Sequence, residues 1–318
     1  MKAAIVKGAG INPVYATFKE PEATKDELKI NVSAAALSNF TKNRALGNHY
    51  SSTNDFPIIA GADGVGTTSE GKRVYFLMPT APFGSLAQQT IVNKNLTVPI
   101  PKDLDDVSAA AIANPGMSSW VALVYRAHFE KGQTVLINGA TGSAGSLAVK
   151  IAYHLGAKKV IVTGRNAKKL ANLGADAAVS FDMIAENGAT EFAEKLNPYF
   201  KEGVDVVLDY LWGDSSLAIM TALAKAGNKN KSRFVSVGAA SGQNEISLPS
   251  ALLRSSTIEI LGSGAKSASM QELLISIKDV FEFAATEKIS MPVKTYPLTE
   301  IEDAWNAPTQ PRVVVEVK

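Results

Sequence analysis

Three glycines stand at three-residue spacing in the stretch INGATGSAGSLAVKIAYHL: Gly139, Gly142 and Gly145. An apolar run, Thr134–Asn138, precedes them. Apolar residues at Ala144, Leu147, Ala148, Ile151, Ala152 and Leu155 follow. The run has the pattern of a buried strand. The second set has the spacing of an amphipathic helix, which Gly156 is placed to stop. Glycines in such an elbow have three uses. One closes a tight turn, one lets a diphosphate approach bare backbone, and one lets helix and sheet pack closely. The free N–H groups at the helix N-terminus then favour the anion. Thr141, Ser143 and Ala144 belong to the same expected cradle. The spacing GxxGxxG departs from the usual GxGxxG, and a tight turn without a ligand is the alternative.

A second strand is expected over Lys159–Thr163, ending in TGRN. An acidic residue that holds a ribose hydroxyl is usual at this point. Gly164 and Arg165 stand there instead, with Lys168 and Lys169 close behind. Without the acid there is no repulsion against a 2′-phosphate, and a guanidinium offers that phosphate a bidentate partner. The reading is NADPH, with Arg165 and Lys169 as contacts. A solvated basic loop is the alternative.

These groups need a scaffold, and the chain has room for one. It has 318 residues, 46% hydrophobic and 19% charged, with a net charge of +2. That balance suits a globular protein and offers no basic surface for nucleic acid or a membrane. The apolar runs look too short and broken for a transmembrane helix. The apolar stretch between Lys2 and Lys7 is too short for a secretory core, so a cytoplasmic protein is expected. There is no cysteine, and His49, His128 and His154 lie far apart in sequence. Thiolate zinc sites and cysteine nucleophiles are therefore excluded. A site of His plus carboxylates stays open but has no HxxxH or similar spacing behind it, so no metal site is expected.

The front of the chain reads as β structure. Leu28, Ile30 and Val32 alternate with Lys29, Asn31 and Ser33, and further strands are expected within residues 71–77 and 85–101. From about residue 116 the texture changes. Buried-strand runs at 134–138, 159–163, 178–181, 204–209, 233–237 and 258–261 alternate with helical patterns, which predicts βαβ units and a parallel sheet. Helical spacing from Met270 to Ala284 follows, and the final segment RVVVEVK reads as a strand.

The order of these parts resembles the medium-chain dehydrogenase/reductase superfamily, and its zinc-free branch of zeta-crystallin-like quinone oxidoreductases in particular. FPIIAGADGVG, FGSLAQQTIVNKNLTVPIPKDL, NPGMSSWVAL and YPLTEIEDAW are similar to segments of that family. The resemblance covers nearly the whole chain. It implies an α/β fold with a GroES-like β-rich domain over 1–115, completed by 265–318, and a Rossmann doubly wound parallel sheet over 116–264. It also explains why the elbow comes so late. A short-chain reductase, which can also carry GATGxxG, would place it near the N-terminus and often adds a YxxxK pair.

Where zinc-binding relatives carry a cysteine and a His-Glu pair, this chain has Ser38 and then Ala62 and Asp63. The resemblance implies hydride delivery from NADPH to a quinone or an α,β-unsaturated carbonyl without a metal, in a pocket near the nicotinamide. Ser38 and Asn39 match the place of a polar asparagine in related reductases. His49 and Tyr50 match the loop that rims the pocket. These four are the catalytic candidates. On the cofactor side the resemblance adds Ser118, then Leu211 and Trp212 after the fourth strand. Gly238 and Ala239 follow the fifth, and Gly262, Ser263 and Gly264 the sixth. Asp209 and Tyr210 read only as a strand end. A homodimer is expected from the resemblance, with Ile258–Leu261 as the paired edge. Two other activities stay open: an NADPH-binding redox sensor without turnover, and a zinc-independent alcohol or aldehyde reductase.

Overall fold

Alternation in the front part yields strands of the expected period. They are β1 (Lys2–Val6), β2 (Val14–Thr17), β3 (Glu27–Ala36), β4 (Ile58–Ile59), β5 (Asp63–Thr68), β6 (Arg73–Leu77), β7 (Gln89–Asn93) and β8 (Thr97–Pro99). A short helix, α1 (Asn39–Ala45), follows β3. Next comes α2 (Asp106–Val121), and then strands and helices alternate: β9 (Thr134–Asn138), α3 (Ser143–His154), β10 (Lys159–Gly164), α4 (Ala167–Ala171), β11 (Ala177–Ser180), α5 (Gly188–Glu202), β12 (Val206–Asp209), α6 (Asp214–Ala226), β13 (Ser232–Ser236), α7 (Ser250–Arg254) and β14 (Ile258–Gly262). The chain ends with α8 (Met270–Thr286), β15 (Val293–Pro297), α9 (Ile301–Asn306) and β16 (Arg312–Glu316). This computed structural model describes residues 1–48, 52, 55–227 and 231–318. It divides into two units, Met1–Asn114 with Ile277–Lys318, and Pro115–Ser276.

The first unit holds two sheets. One has the order β2-β1-β4. The other has the order β15-β16-β3-β5-β6-β8, with β7 also paired to β3. The last strand returns to the front of the chain, with Val314 opposite Ala36. Ile30, Phe76, Leu86, Ile301 and Val315 are fully enclosed in this unit's core.

The second unit is a six-stranded parallel sheet in the order β11-β10-β9-β12-β13-β14. Its central strands are apolar on both faces. Val135, Leu136, Ile137, Val160, Ile161, Val162, Val206, Val207 and Leu208 have no solvent exposure. Helices cover both faces of such a sheet, so its strands read as continuous apolar runs rather than alternating ones. Burying each of these side chains contributes about 1.5–3 kcal/mol. Strand order reverses between β9 and β12. In an open parallel sheet that switch point leaves a crevice outside the carboxyl ends of the strands.

One expectation needs correction, that the apolar runs are too short and broken to cross a membrane. The helix before the parallel sheet begins at Asp106 and has Pro115 in its interior. Asp105 starts it by accepting the Ser108 N–H at 2.9 Å, and Ala109–Ala113 are buried helix formers. The helix continues through a π turn over Ala122–Arg126. Over Asp106–Arg126 it is therefore long and apolar enough, by length and composition alone, to cross a membrane. Its most apolar window is 67% buried inside the protein, as in the core helix of a globular fold.

Candidate functional site

The three glycines of the elbow differ in what surrounds them. Gly139 has φ 87°, a left-handed conformation that most residues avoid. A β-carbon on Gly145 would stand 2.5 Å from the Gly139 carbonyl oxygen and 2.7 Å from Ala140 Cα, so this glycine sets the approach of α3 to the turn. A β-carbon on Gly142 would meet only the Gly139 oxygen, at 3.5 Å. Gly142 is the N-cap of α3, and no side chain caps the helix. The middle of the elbow thus offers open backbone at a helix N-terminus, which is what a diphosphate needs.

The strand ends bring the other cofactor candidates to the same edge. Thr163, Asn138, Asp209, Ser236 and Gly262 are in register across β10, β9, β12, β13 and β14. Gly164 and Gly262 end β10 and β14 at this edge, and the segments that carry Arg165, Lys169, Leu211, Trp212, Gly238, Ala239, Ser263 and Gly264 leave from it. Gly164, the last residue of β10, is buried, and Arg165 after it is exposed. Asn166 caps α4 by accepting the Lys169 N–H at 2.9 Å, which places Lys168 and Lys169 on the exposed first turns of that helix. After β13, Gly238 donates to the Asp209 carbonyl at 3.2 Å. Ala240 and Ser241 donate to the Tyr210 and Leu211 carbonyls at 3.0 Å. After β14, Ser263 N–H donates to the Ser236 carbonyl at 2.8 Å, and the Ser267 hydroxyl accepts from Gly264 N–H at 2.6 Å. The Ser118 hydroxyl is turned onto its own helix and donates to the Pro115 carbonyl at 3.0 Å.

Sequence reasoning missed the polar residues beneath this edge. Asn138 and Asp209 have no solvent exposure. Asn138 Nδ2 donates to Asp209 Oδ1 at 2.9 Å and to Ser215 Oγ at 3.0 Å, and Thr163 Oγ1 donates to Asn138 Oδ1 at 2.7 Å. Burial pushes the Asp209 carboxyl above the usual range, and the donors from Ser216 and Asn138 oppose this. The Tyr210 hydroxyl and Ser119 Oγ are 2.8 Å apart in the core, and burial raises the tyrosine pKa. The available signal was an Asp closing a fully apolar strand, since a buried carboxylate must be held by several donors.

In the first unit, Ser38 is the N-cap of α1. Its Oγ accepts the Thr41 N–H at 2.9 Å and lies 2.8 Å from Thr41 Oγ1. The hydroxyl is buried and serves as the cap of the helix. Asn39, the next residue, is exposed at the first helical position. His49 and Tyr50 lie outside the described residues. Asp63 is buried at the start of β5 and accepts from the Tyr75 hydroxyl at 2.8 Å. These positions do not suit zinc. The chain has no thiolate, Ala62 has no donor, the Ser38 hydroxyl is used as a cap, and Asp63 is bonded in the core.

Residues 144–279 match the family described as zinc-binding dehydrogenase. The chain is 28% identical over 333 residues to a protein of Emericella nidulans described as "Probable NADPH-dependent quinone reductase tdiC", covering 92% of each. It is 32% identical over 220 residues to the 2-methylene-furan-3-one reductase of Solanum lycopersicum, covering 59% of this chain and 56% of that enzyme. The quinone oxidoreductase of Thermus thermophilus, also solved in complex with NADPH, superposes with a TM-score of 0.79 at 25% identity, over 99% of this chain and 100% of that one. A glycine elbow inside a late parallel sheet, a front unit completed by the C-terminal strand, and these likenesses agree on an oxidoreductase similar to the quinone oxidoreductases of the medium-chain dehydrogenase/reductase family.

Proposed function

We propose that the protein binds NADPH at the carboxyl edge of its parallel sheet and reduces a quinone or an α,β-unsaturated carbonyl without a metal. The observation that carries this reading is the elbow, where open backbone at Gly142 meets an uncapped α3 N-terminus. The names of the Emericella and tomato relatives point to the same reaction class. The unit Pro115–Ser276 is then the NADPH-binding unit, and Met1–Asn114 with Ile277–Lys318 the substrate unit.

Bound NADPH supplies a hydride. The backbone of Gly142, Ser143 and Ala144 holds the diphosphate through N–H groups and the helix dipole. Arg165 and Lys169 pair with the 2′-phosphate and favour NADPH over NADH. Leu211, Trp212, Gly238, Ala239 and the Gly262–Gly264 turn shape the remainder of the cradle. Asn39 donates a hydrogen bond to a substrate carbonyl, and His49 or Tyr50 supplies a proton. An electron-poor acceptor needs no stronger polarisation than this, because one hydrogen bond can hold the charge that develops on oxygen.

The protein is further proposed to be a cytoplasmic homodimer, paired through β14. Among the described residues that strand has a neighbour only on the β13 side, and its apolar residues Ile258, Ile260 and Leu261 are half-buried in the single chain. Sedimentation should give twice the chain mass of 33.6 kDa, and a monomer at micromolar concentration would refute the pairing.

The main test is NADPH consumption with a panel of quinones, enones and simple alcohols or aldehydes. Turnover with the first two classes, resistant to chelators, is expected. Turnover restricted to alcohols or aldehydes, or binding of NADPH with no consumption, would overturn the proposal.

A further inference from the structure

Asp209 closes β12 with no solvent exposure and receives four donors. Two come from side chains, Asn138 Nδ2 at 2.9 Å and Ser216 Oγ at 2.6 Å. Two come from the turn that follows, the Leu211 N–H at 3.1 Å and the Trp212 N–H at 3.1 Å. The backbone bonds fix an unusual conformation. Trp212 has φ 57°, which a bulky side chain adopts only when its surroundings impose it. Gly213 follows at φ 79°. Gln243 braces the far side by accepting the Asp214 N–H at 2.8 Å and donating to its carboxylate at 3.0 Å.

This geometry has a result at the elbow. Held this way, the turn lays Leu211 on Gly139, whose missing β-carbon would stand 2.9 Å from Leu211 Cγ. Through Asn138 the same network reaches Thr163 at the end of β10 and Ser215 at the start of α6. Strand order then divides the edge. The basic turn after β10 lies on one side of β9, and the Leu211–Trp212 turn after β12 lies on the other. A dinucleotide with its 2′-phosphate at Arg165 and its diphosphate at the elbow must run its nicotinamide half towards β12.

We infer that Asp209 is a positioning residue for the nicotinamide half of the dinucleotide: its carboxylate holds the Leu211–Trp212 turn in the backbone conformation that walls the crevice between β9 and β12. The inference rests on the reading that NADPH binds at this edge. Asp209 touches no ligand itself. It acts through the two N–H groups it binds.

The test compares two ligands by calorimetric titration. NADPH spans the whole edge, whereas adenosine 2′,5′-bisphosphate occupies only the β10 side. Asp209→Asn keeps the side-chain shape but faces the turn with an amide. NADPH affinity should fall about tenfold, while the bisphosphate should change less than about twofold. Ser216→Ala removes only the hydroxyl donor to the same carboxylate and should weaken NADPH by about threefold with the bisphosphate again unchanged. It also keeps the test open should Asp209→Asn fold poorly. The near-ultraviolet circular dichroism of Trp212, taken as wild type minus Trp212→Phe, should change in Asp209→Asn. Equal losses for both ligands, or unchanged NADPH affinity, would overturn the positioning role alone. A wild-type protein that binds neither ligand would overturn the cofactor reading and this inference with it.

Discussion

Leu211 fills the space that a β-carbon on Gly139 would need: that atom would stand 2.9 Å from both Cγ and Cδ2 of the leucine. Gly139 is also at φ 87°, so its lack of a side chain is required twice. Gly139→Ala should destabilise the protein by about 2–4 kcal/mol, from left-handed strain and overpacking together. Gly145→Ala should cost about 1–3 kcal/mol, because its β-carbon meets backbone at 2.5 Å. Denaturant unfolding of both variants checks this.

Gly142→Ala should behave differently. Its β-carbon has room in the protein, with one contact at 3.5 Å, so stability should fall by less than about 1 kcal/mol. That methyl would occupy the space proposed for the diphosphate, and NADPH affinity should fall at least about tenfold. Unchanged NADPH affinity in a stable Gly142→Ala protein would remove the diphosphate from the elbow.

Arg165→Ala should weaken NADPH by about tenfold to a hundredfold, the worth of a charge-assisted hydrogen bond, and leave NADH nearly unchanged. The side chain is exposed, so no loss of stability should accompany it. Equal losses for the two cofactors would assign Arg165 to the shape of the turn.

Ser38 and Asn39 are neighbours with separate roles. Ser38→Ala removes the cap of α1 and should cost about 0.5–2 kcal/mol, whereas Ser38→Gly should cost only a few tenths. Asn39→Ala should lower turnover with little change in melting temperature or NADPH affinity. Thermal melts and steady-state kinetics on the three variants separate the two roles.

Asp63 gives stability a pH signature. Burial pushes its carboxyl above the ordinary value, and this outweighs the Tyr75 hydrogen bond and the attraction of Arg312. A raised folded value favours the protonated form. The associated stability is complete below the unfolded value of about 3.9 and is lost as pH rises through the folded value. Asparagine does not titrate. The melting temperature of wild type minus that of Asp63→Asn should therefore decline as pH rises above about 4. A constant or rising difference would show that Asp63 does not titrate above the ordinary carboxylate range.

Local pattern was enough for part of this protein. The glycines at 139, 142 and 145, the helix spacing from Ala144 to Leu155, and the apolar runs around them specify a strand, a turn and a helix, because each depends on neighbours a few residues away. The parallel sheet was legible for the same reason, since strands buried on both faces must be continuously apolar. The return of the last strand to the front unit came from likeness to a family, not from periodicity.

What the tertiary structure decided was which polar groups meet. Asn138, Thr163 and Asp209 belong to three different strands, and only their pairing in register makes one buried network of them. The left-handed turn at Trp212 has no signal in its own residue type. It exists because a carboxylate three residues back, held from the other side by α6, binds its N–H. Ser38 shows the opposite case. Likeness to related reductases suggested chemistry at this serine, and the helix that starts there uses its hydroxyl for a cap. Residue type and spacing determine the local elements. Whether a polar side chain supports the fold or faces a ligand depends on donors and acceptors that only the folded chain brings within hydrogen-bonding distance.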